Sequence, residues 1–281
     1  MKANGPVPSI EFRRRDLFGG IAAFVGAAML NKYAIAAPAT DGPFDAGKIR
    51  ALAFDIQGTT LDYYTPLADM MKGVNQQKGL ALDVDVVITE WRNGYSEVIG
   101  EILAGKRAWI PTEQVYADAL DRVLDRHNVG EKFSAPDRAR MTEVWAQMIP
   151  WPDTASGLER LRKKFVLTTL SNSGMQTVGK MLKRLDLRFD YILTGELAHS
   201  FKPDGGVYRL VSQNLGVPVE NVIMIACHKY DLKGAHEFGF RTGYIPRPRE
   251  LGPAGKPDTR QDSYIDVMGN DLNDLASKLG A

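Results

Sequence analysis

Asp55 stands at the end of an apolar run, Ile49 to Phe54, and is followed by Gln57-Gly58-Thr59-Thr60. A carboxylate carried from a buried strand into a turn can attack an electrophilic carbon or phosphorus and form an ester. A lone aspartate in that place usually does no more than cap a turn, so its neighbours decide. Two other apolar runs also end in polar residues. Phe165 to Leu170 leads into Ser171-Asn172-Ser173-Gly174, and Val222 to Ala226 leads into Cys227-His228-Lys229-Tyr230-Asp231. Between them lies Phe201-Lys202-Pro203-Asp204, with Tyr208 further on. Lys202 is a compact positive charge and Asp231 a second acid.

These groups can meet only if the fold brings strand ends together. From residue 150 onward strand-like and helix-like segments alternate, ending with a strand over Arg241 to Ile245. That alternation predicts an α/β fold: a Rossmann-like parallel sheet with helices on both faces. In such a sheet the site lies at the carboxyl ends of the strands. Asp55, Ser171 and the Cys227–Asp231 loop all fall there. From about Pro66 to Trp151 the pattern is helical, with starts at Pro111-Thr112 and Ser134-Ala135-Pro136-Asp137. This block is too long for a crossover, so an all-helical cap is predicted over 66–149. The core then takes 45–65 and 150–281.

The bulk numbers narrow the rest. The chain has 281 residues, with 44% hydrophobic, 25% charged and a net charge of +1. Neither a nucleic-acid surface nor an acidic-lipid surface is indicated. The single cysteine, Cys227, excludes an internal disulfide. Residues 1–36 read as an export signal: Arg13-Arg14-Arg15-Asp16-Leu17-Phe18, then the uncharged run Gly19 to Leu30, then Ala34-Ile35-Ala36. Cleavage after Ala39 is an alternative. The arginines resemble a twin-arginine signal, so a periplasmic or secreted protein without a stable membrane span is expected. A homodimer formed through the cap is compatible with the sequence.

Taken together, the motifs resemble the haloacid dehalogenase (HAD) superfamily. The four that carry the resemblance are Phe54-Asp55-Ile56-Gln57-Gly58-Thr59, Leu170-Ser171-Asn172-Ser173, Phe201-Lys202-Pro203-Asp204 with Tyr208, and Ile225-Ala226-Cys227-His228-Lys229-Tyr230-Asp231. They stand in the family's order, each at the expected strand end. The resemblance implies that Asp55 is a covalent nucleophile, with Lys202 and Asp231 as its catalytic partners. It also implies substrate-binding roles for Thr59, Arg92, Ser171, Asn172, Tyr208 and His228. Arg92 would face a leaving halide from the second cap helix. Ser171 and Asn172, at the start of a helix, would hold a substrate carboxylate.

Two departures select a branch. Phosphatases of the superfamily carry a second aspartate two residues after the nucleophile, as the acid for the leaving alcohol. Here that position is Gln57, which has no proton to give up. They also begin the fourth motif with Gly-Asp to bind Mg²⁺, where this chain has Ala226-Cys227, and Mg²⁺ prefers hard oxygen ligands. A halide leaves without a proton and without a metal. No metal or cofactor is therefore expected. The resemblance is to the type II, (S)-2-haloacid dehalogenases, which would take a small haloacid to the 2-hydroxyacid through an aspartyl ester. Dehalogenases usually carry an aromatic at the Gln57 position. The alternatives are a phosphatase of the same fold and a non-catalytic exported binding protein.

Overall fold

The computed structural model describes residues 43–253, 255 and 258–281. The predicted export signal lies outside them.

Strand β1 (Ala51–Phe54) is apolar at every position because it has a neighbour on both sides and helices on both faces. Ala51 lies opposite Val166 of β4 (Val166–Ser171) on one side and Val222 of β6 (Val222–Ala226) on the other. The sheet runs β5-β4-β1-β6-β7-β8, with β5 at Tyr191–Thr194, β7 at Arg241–Tyr244 and β8 at Val267–Met268. All of its pairings are parallel. From β1 the chain first builds one half of the sheet and then the other. The crevice at the carboxyl ends of β1, β4 and β6 is thus a topological switch point, where open α/β sheets bind ligands.

Four helices intervene after β1: α1 (Tyr64–Lys78), α2 (Val84–Leu103), α3 (Thr112–Arg126) and α4 (Ala135–Glu143). Ser134 caps α4 and forms a capping box with Asp137, which satisfies backbone N–H groups left free at a helix start. The helices share an aromatic core. Tyr116 stacks on Trp145 with ring centres 4.3 Å apart, Tyr95 stacks on Tyr116 at 5.0 Å, and Trp91 meets Trp145 edge-on. The Trp91 indole N–H donates to the Tyr116 carbonyl at 2.9 Å, so its one polar atom is satisfied in a buried place.

The remaining helices flank the sheet: α5 (Thr154–Leu161), α6 (Met175–Arg184), α7 (Gly205–Leu215), α8 (Lys229–Phe238) and α9 (Leu272–Lys278). Two features depart from the sequence reading. The helical stretch is closed at its ends by an antiparallel ribbon of β2 (Leu61–Asp62) and β3 (Ile149–Pro150). The chain also adds β8 and α9 after the last predicted strand. A two-residue strand is too short to show alternation, so neither signal was there to read. No helix among the described residues is long and apolar enough to cross a membrane.

Candidate active site

The turn after β1 presents the Asp55 side chain. The Asp55 N–H donates to the Ile225 carbonyl at 3.0 Å, and the Thr60 hydroxyl donates to the Asp55 carbonyl at 2.7 Å. Gly58 has φ +78°, which favours glycine, and a Cβ there would lie 2.5 Å from Glu250 Oε1. Trp151 Nε1 and Arg247 Nε donate to the carbonyls of Gly58 and Thr59, both at 2.8 Å. The loop is therefore held by groups from three distant segments.

Lys202 and Asp231 meet Asp55 at the base of the site. Lys202 Nζ lies 3.0 Å from Asp55 Oδ1 and also donates to Asp231 Oδ2. All three are almost wholly buried. Burial alone would push the Asp55 carboxyl up, but Lys202, His228 and Thr59 outweigh it and hold the group well below the usual carboxylate range. Asp231 moves the opposite way. Burial and the nearby Asp55 charge raise it, and Lys202 only partly compensates. Lys202 is held protonated against burial by Asp231 and Asp55. The outcome is an ionised nucleophile beside a more basic carboxylate. Around them Tyr208 donates to Asp231 Oδ1 at 2.8 Å, and the Lys202 backbone N–H donates to Asn172 Oδ1 at 2.7 Å.

The other side of Asp55 is built by the fourth motif. Thr59 donates to Asp55 Oδ2 at 2.8 Å and accepts from the Cys227 N–H at 2.9 Å. His228 Nδ1 lies 3.0 Å from Asp55 Oδ2, and its Nε2 lies 2.6 Å from Glu250 Oε1. Burial opposes the imidazolium, but Cys227, Glu250 and Asp55 raise the His228 pKa well above its ordinary value. His228 thus lies between two carboxylates that favour its protonated form. Burial raises the Cys227 thiol to about 11, so it is neutral.

Arg92, on α2, lies over the rings of Tyr63 and Tyr95, 5.0 and 5.3 Å from their centres. Burial works against its charge, which Tyr63 and Glu250 favour. The structure thus brings Asp55, Thr59, Lys202, Tyr208, His228 and Asp231 into one network and sets Arg92 at its cap side. Ser171 and Asn172 are placed differently from the expectation. Ser171 is the last residue of β4, and the helix after it starts only at Met175. The Ser171 hydroxyl accepts from the Ser173 N–H at 3.0 Å, and Asn172 fixes Lys202. Asn172 is a positioning residue in this structure, although it still lines a cavity of about 210 Å³ with Lys202, Tyr95 and Tyr230.

Sequence reasoning missed Glu250, Tyr95 and Tyr63. Tyr95 could have been found, since it follows Arg92 by three positions and shares its helix face. Glu250 could not, because it sits in the Pro-rich loop after β7, remote from every motif. Gln57 is also explained. Its side-chain amide hydrogen-bonds the Tyr116 hydroxyl, which gives the polar group a buried partner.

A parallel sheet with a buried aspartate at the end of a central strand, paired to lysine, fits a hydrolase of α/β architecture. The chain belongs to the haloacid dehalogenase-like hydrolase family, whose model matches residues 49–239. It is 26% identical over 202 residues to an (S)-2-haloacid dehalogenase of Pseudomonas sp. (strain YL), covering 71% of this chain and 83% of that one. It is likewise 26% identical over 205 residues to haloacetate dehalogenase H-2 of Moraxella sp. (strain B), covering 71% and 87%. The crystal structure of a defluorinating L-2-haloacid dehalogenase superposes with a TM-score of 0.79 at 28% identity, covering 85% of this chain and all (100%) of that one.

Arg92→Ala is expected to lower kcat by about 10²–10³-fold, with a smaller change in KM, because charge on a departing group grows only in the transition state. Lysine should restore little, since it lacks the planar, delocalised charge. Steady-state kinetics with added bromide or iodide check this: inhibition by the free anion should weaken in Arg92→Ala. Unchanged kcat and unchanged inhibition would make Arg92 a packing residue for Tyr63 and Tyr95.

Proposed function

We propose that the protein hydrolyses the carbon–halogen bond of a short (S)-2-haloacid to the 2-hydroxyacid, without a metal. The observation that carries the reading is the pairing at Asp55: an ionised carboxylate beside Lys202, with no acid two residues on. Asp55 attacks C2 from behind the C–X bond, the bond electrons leave with the halide towards Arg92, and an aspartyl ester results. Water then attacks the ester carbonyl. The raised Asp231 accepts its proton, and the product leaves with inverted configuration at C2. Lys202 keeps Asp55 ionised before the attack and again once hydrolysis releases it, and Tyr208 positions Asp231. The 210 Å³ cavity beside Lys202 and Asn172 suits a substrate of a few carbons. The names of the relatives agree with this reaction.

A phosphatase of the same fold would need the acid and the Mg²⁺ ligand that Gln57 and Cys227 replace. Purified protein should therefore turn over chloroacetate or 2-chloropropionate equally with and without EDTA, and should leave p-nitrophenyl phosphate untouched even with Mg²⁺. Phosphate release restored by Mg²⁺ would reverse the assignment.

We also propose export by the twin-arginine route. Arg14→Lys with Arg15→Lys should keep the protein out of the periplasmic fraction, and a double variant that still arrives there would indicate an ordinary secretory signal.

A further inference from the structure

A substrate carboxylate needs hydrogen-bond donors, and the groups expected to supply them are engaged within the protein. The Ser171 hydroxyl accepts from the Ser173 N–H at 3.0 Å, and the Asn172 oxygen accepts from the Lys202 N–H at 2.7 Å. The helix that follows, α6, starts only at Met175, and the Met175 N–H already donates to the Glu196 carboxylate at 2.6 Å. A charge taken out of water without partners is costly, so the carboxylate has to find other donors.

The cavity of about 210 Å³ offers two. Tyr95, on α2, lines it and is only 3% exposed. The Tyr95 hydroxyl is buried and has no hydrogen-bond partner among the described residues. A buried hydroxyl left unpaired costs free energy. Phenylalanine would keep the stack on Tyr116 and the contact with Arg92 without that cost, so packing accounts for the ring and not for the oxygen. Burial, with Tyr230 beside it, raises the phenol above its ordinary range, and the charged groups acting on it are Arg92, Asp55 and Lys202. It is therefore a protonated donor at the reacting end of the cavity. Lys202 lines the same cavity. An ammonium has three N–H groups, of which Asp55 and Asp231 take two.

We propose that the Tyr95 hydroxyl donates a hydrogen bond to the substrate carboxylate, with the third N–H of Lys202 as the second donor. The inference rests on the haloacid reading above and names the group that holds the acid end of that substrate. Arg92, whose guanidinium lies 5.3 Å from the centre of the Tyr95 ring, is left for the halide. Carboxylate and halogen are then held by neighbouring residues of one helix, which fixes the substrate on both sides of C2. The carboxylate carries the same charge before and during the attack. Tyr95 therefore contributes binding that is uniform between ground and transition state, and its loss raises KM far more than it lowers kcat. That is the opposite of the pattern expected for Arg92.

Tyr95→Phe removes the oxygen and keeps the ring. With (S)-2-bromopropionate its KM should rise by about 10-fold or more, the usual worth of a hydrogen bond to a charged group. Propionate, which has the carboxylate and no halogen, should lose the same factor in affinity when titrated calorimetrically into the variant. Bromide, which has the halogen charge and no carboxylate, should inhibit both proteins alike. The thermal midpoint should hold or rise, because the hydroxyl that is lost was unpaired. Propionate binding equally well to both proteins would overturn the proposal. So would weaker bromide inhibition with propionate unchanged, which would give the hydroxyl to the halide, and so would a lowered thermal midpoint, which would make it a structural anchor. The propionate titration needs no turnover. An unaltered protein that hydrolyses no haloacid therefore overturns the dehalogenase reading, while the loss of propionate affinity still decides whether Tyr95 holds a carboxylate.

Discussion

Asp55→Asn is expected to lower turnover by at least about 10⁴-fold while the fold persists. The amide has nearly the shape of the carboxylate, so the turn held by Thr60, Arg247 and Trp151 has no reason to move. What disappears is the attacking lone pair with its negative charge, and no other ionised acid in the site is placed to substitute: Asp231 is bound to Lys202 and Tyr208, and Glu250 to His228. Single turnover in ¹⁸O water supplies the sharper measurement. The first hydroxyacid formed takes its oxygen from Asp55, and the solvent oxygen enters the carboxylate when the ester is cleaved. Mass spectrometry of the peptide holding residue 55 should find the label there before the product carries it. Label in the product of the first turnover would mean that water attacks the substrate directly.

Lys202→Met is expected to cost about 3–5 kcal/mol of stability, the usual penalty for removing one partner of a buried ion pair, and to abolish activity. Two carboxylates would then face one another without the ammonium between them. Each would be pushed up by the other's charge and by burial, and the nucleophile would become partly protonated. The sign for stability follows. Asp55 has a folded pKa below its unfolded one, so its contribution is full above the unfolded value and is lost as pH falls through the folded value. Without Lys202 that acid-side loss should begin at higher pH. Urea denaturation from pH 4 to pH 8 measures both effects. Adding Asp231→Asn to Lys202→Met should recover part of the stability, since it removes one of the two stranded charges. A single-variant cost below about 1 kcal/mol would show that the pair is not the anchor described.

Much of the site was legible because its residues end strands. The central parallel strands are mostly apolar, so the polar residue at the end of each run stands out, as Asp55, Ser171 and Cys227 do. Lys202 and Asp231 became readable through the resemblance to a known family. Burial in a loop leaves no such mark. Glu250 lies beyond β7 among prolines, where nothing periodic points inward, yet it holds one nitrogen of His228. The helix expected to start at Ser171 and Asn172 begins at Met175 for a local reason. The chain takes a turn of three residues between β4 and α6, in which the Ser171 hydroxyl accepts from the Ser173 N–H, while Asn172 accepts from the Lys202 N–H across the site. Gln57 stands where dehalogenases usually carry an aromatic, and its partner could not be read because Tyr116 comes from a helix far along the chain.

The central position of β1 has a consequence for how the protein is made. Its two neighbours, β4 and β6, both come from the later half of the chain. A ribosome that has released β1 and the four helices after it has supplied nothing for that strand to pair with. The helices can form early, because their contacts are close in sequence, whereas the sheet has to wait for long-range closure. Until β4 emerges, β1 remains an unpaired apolar strand, and until β6 emerges it keeps one open edge, the sort that recruits other chains. Lys202 and Asp231 emerge later than Asp55 in the same way. The charged triad is therefore assembled only near the end of synthesis, and a nascent chain stopped before β6 carries the nucleophile but cannot be an enzyme.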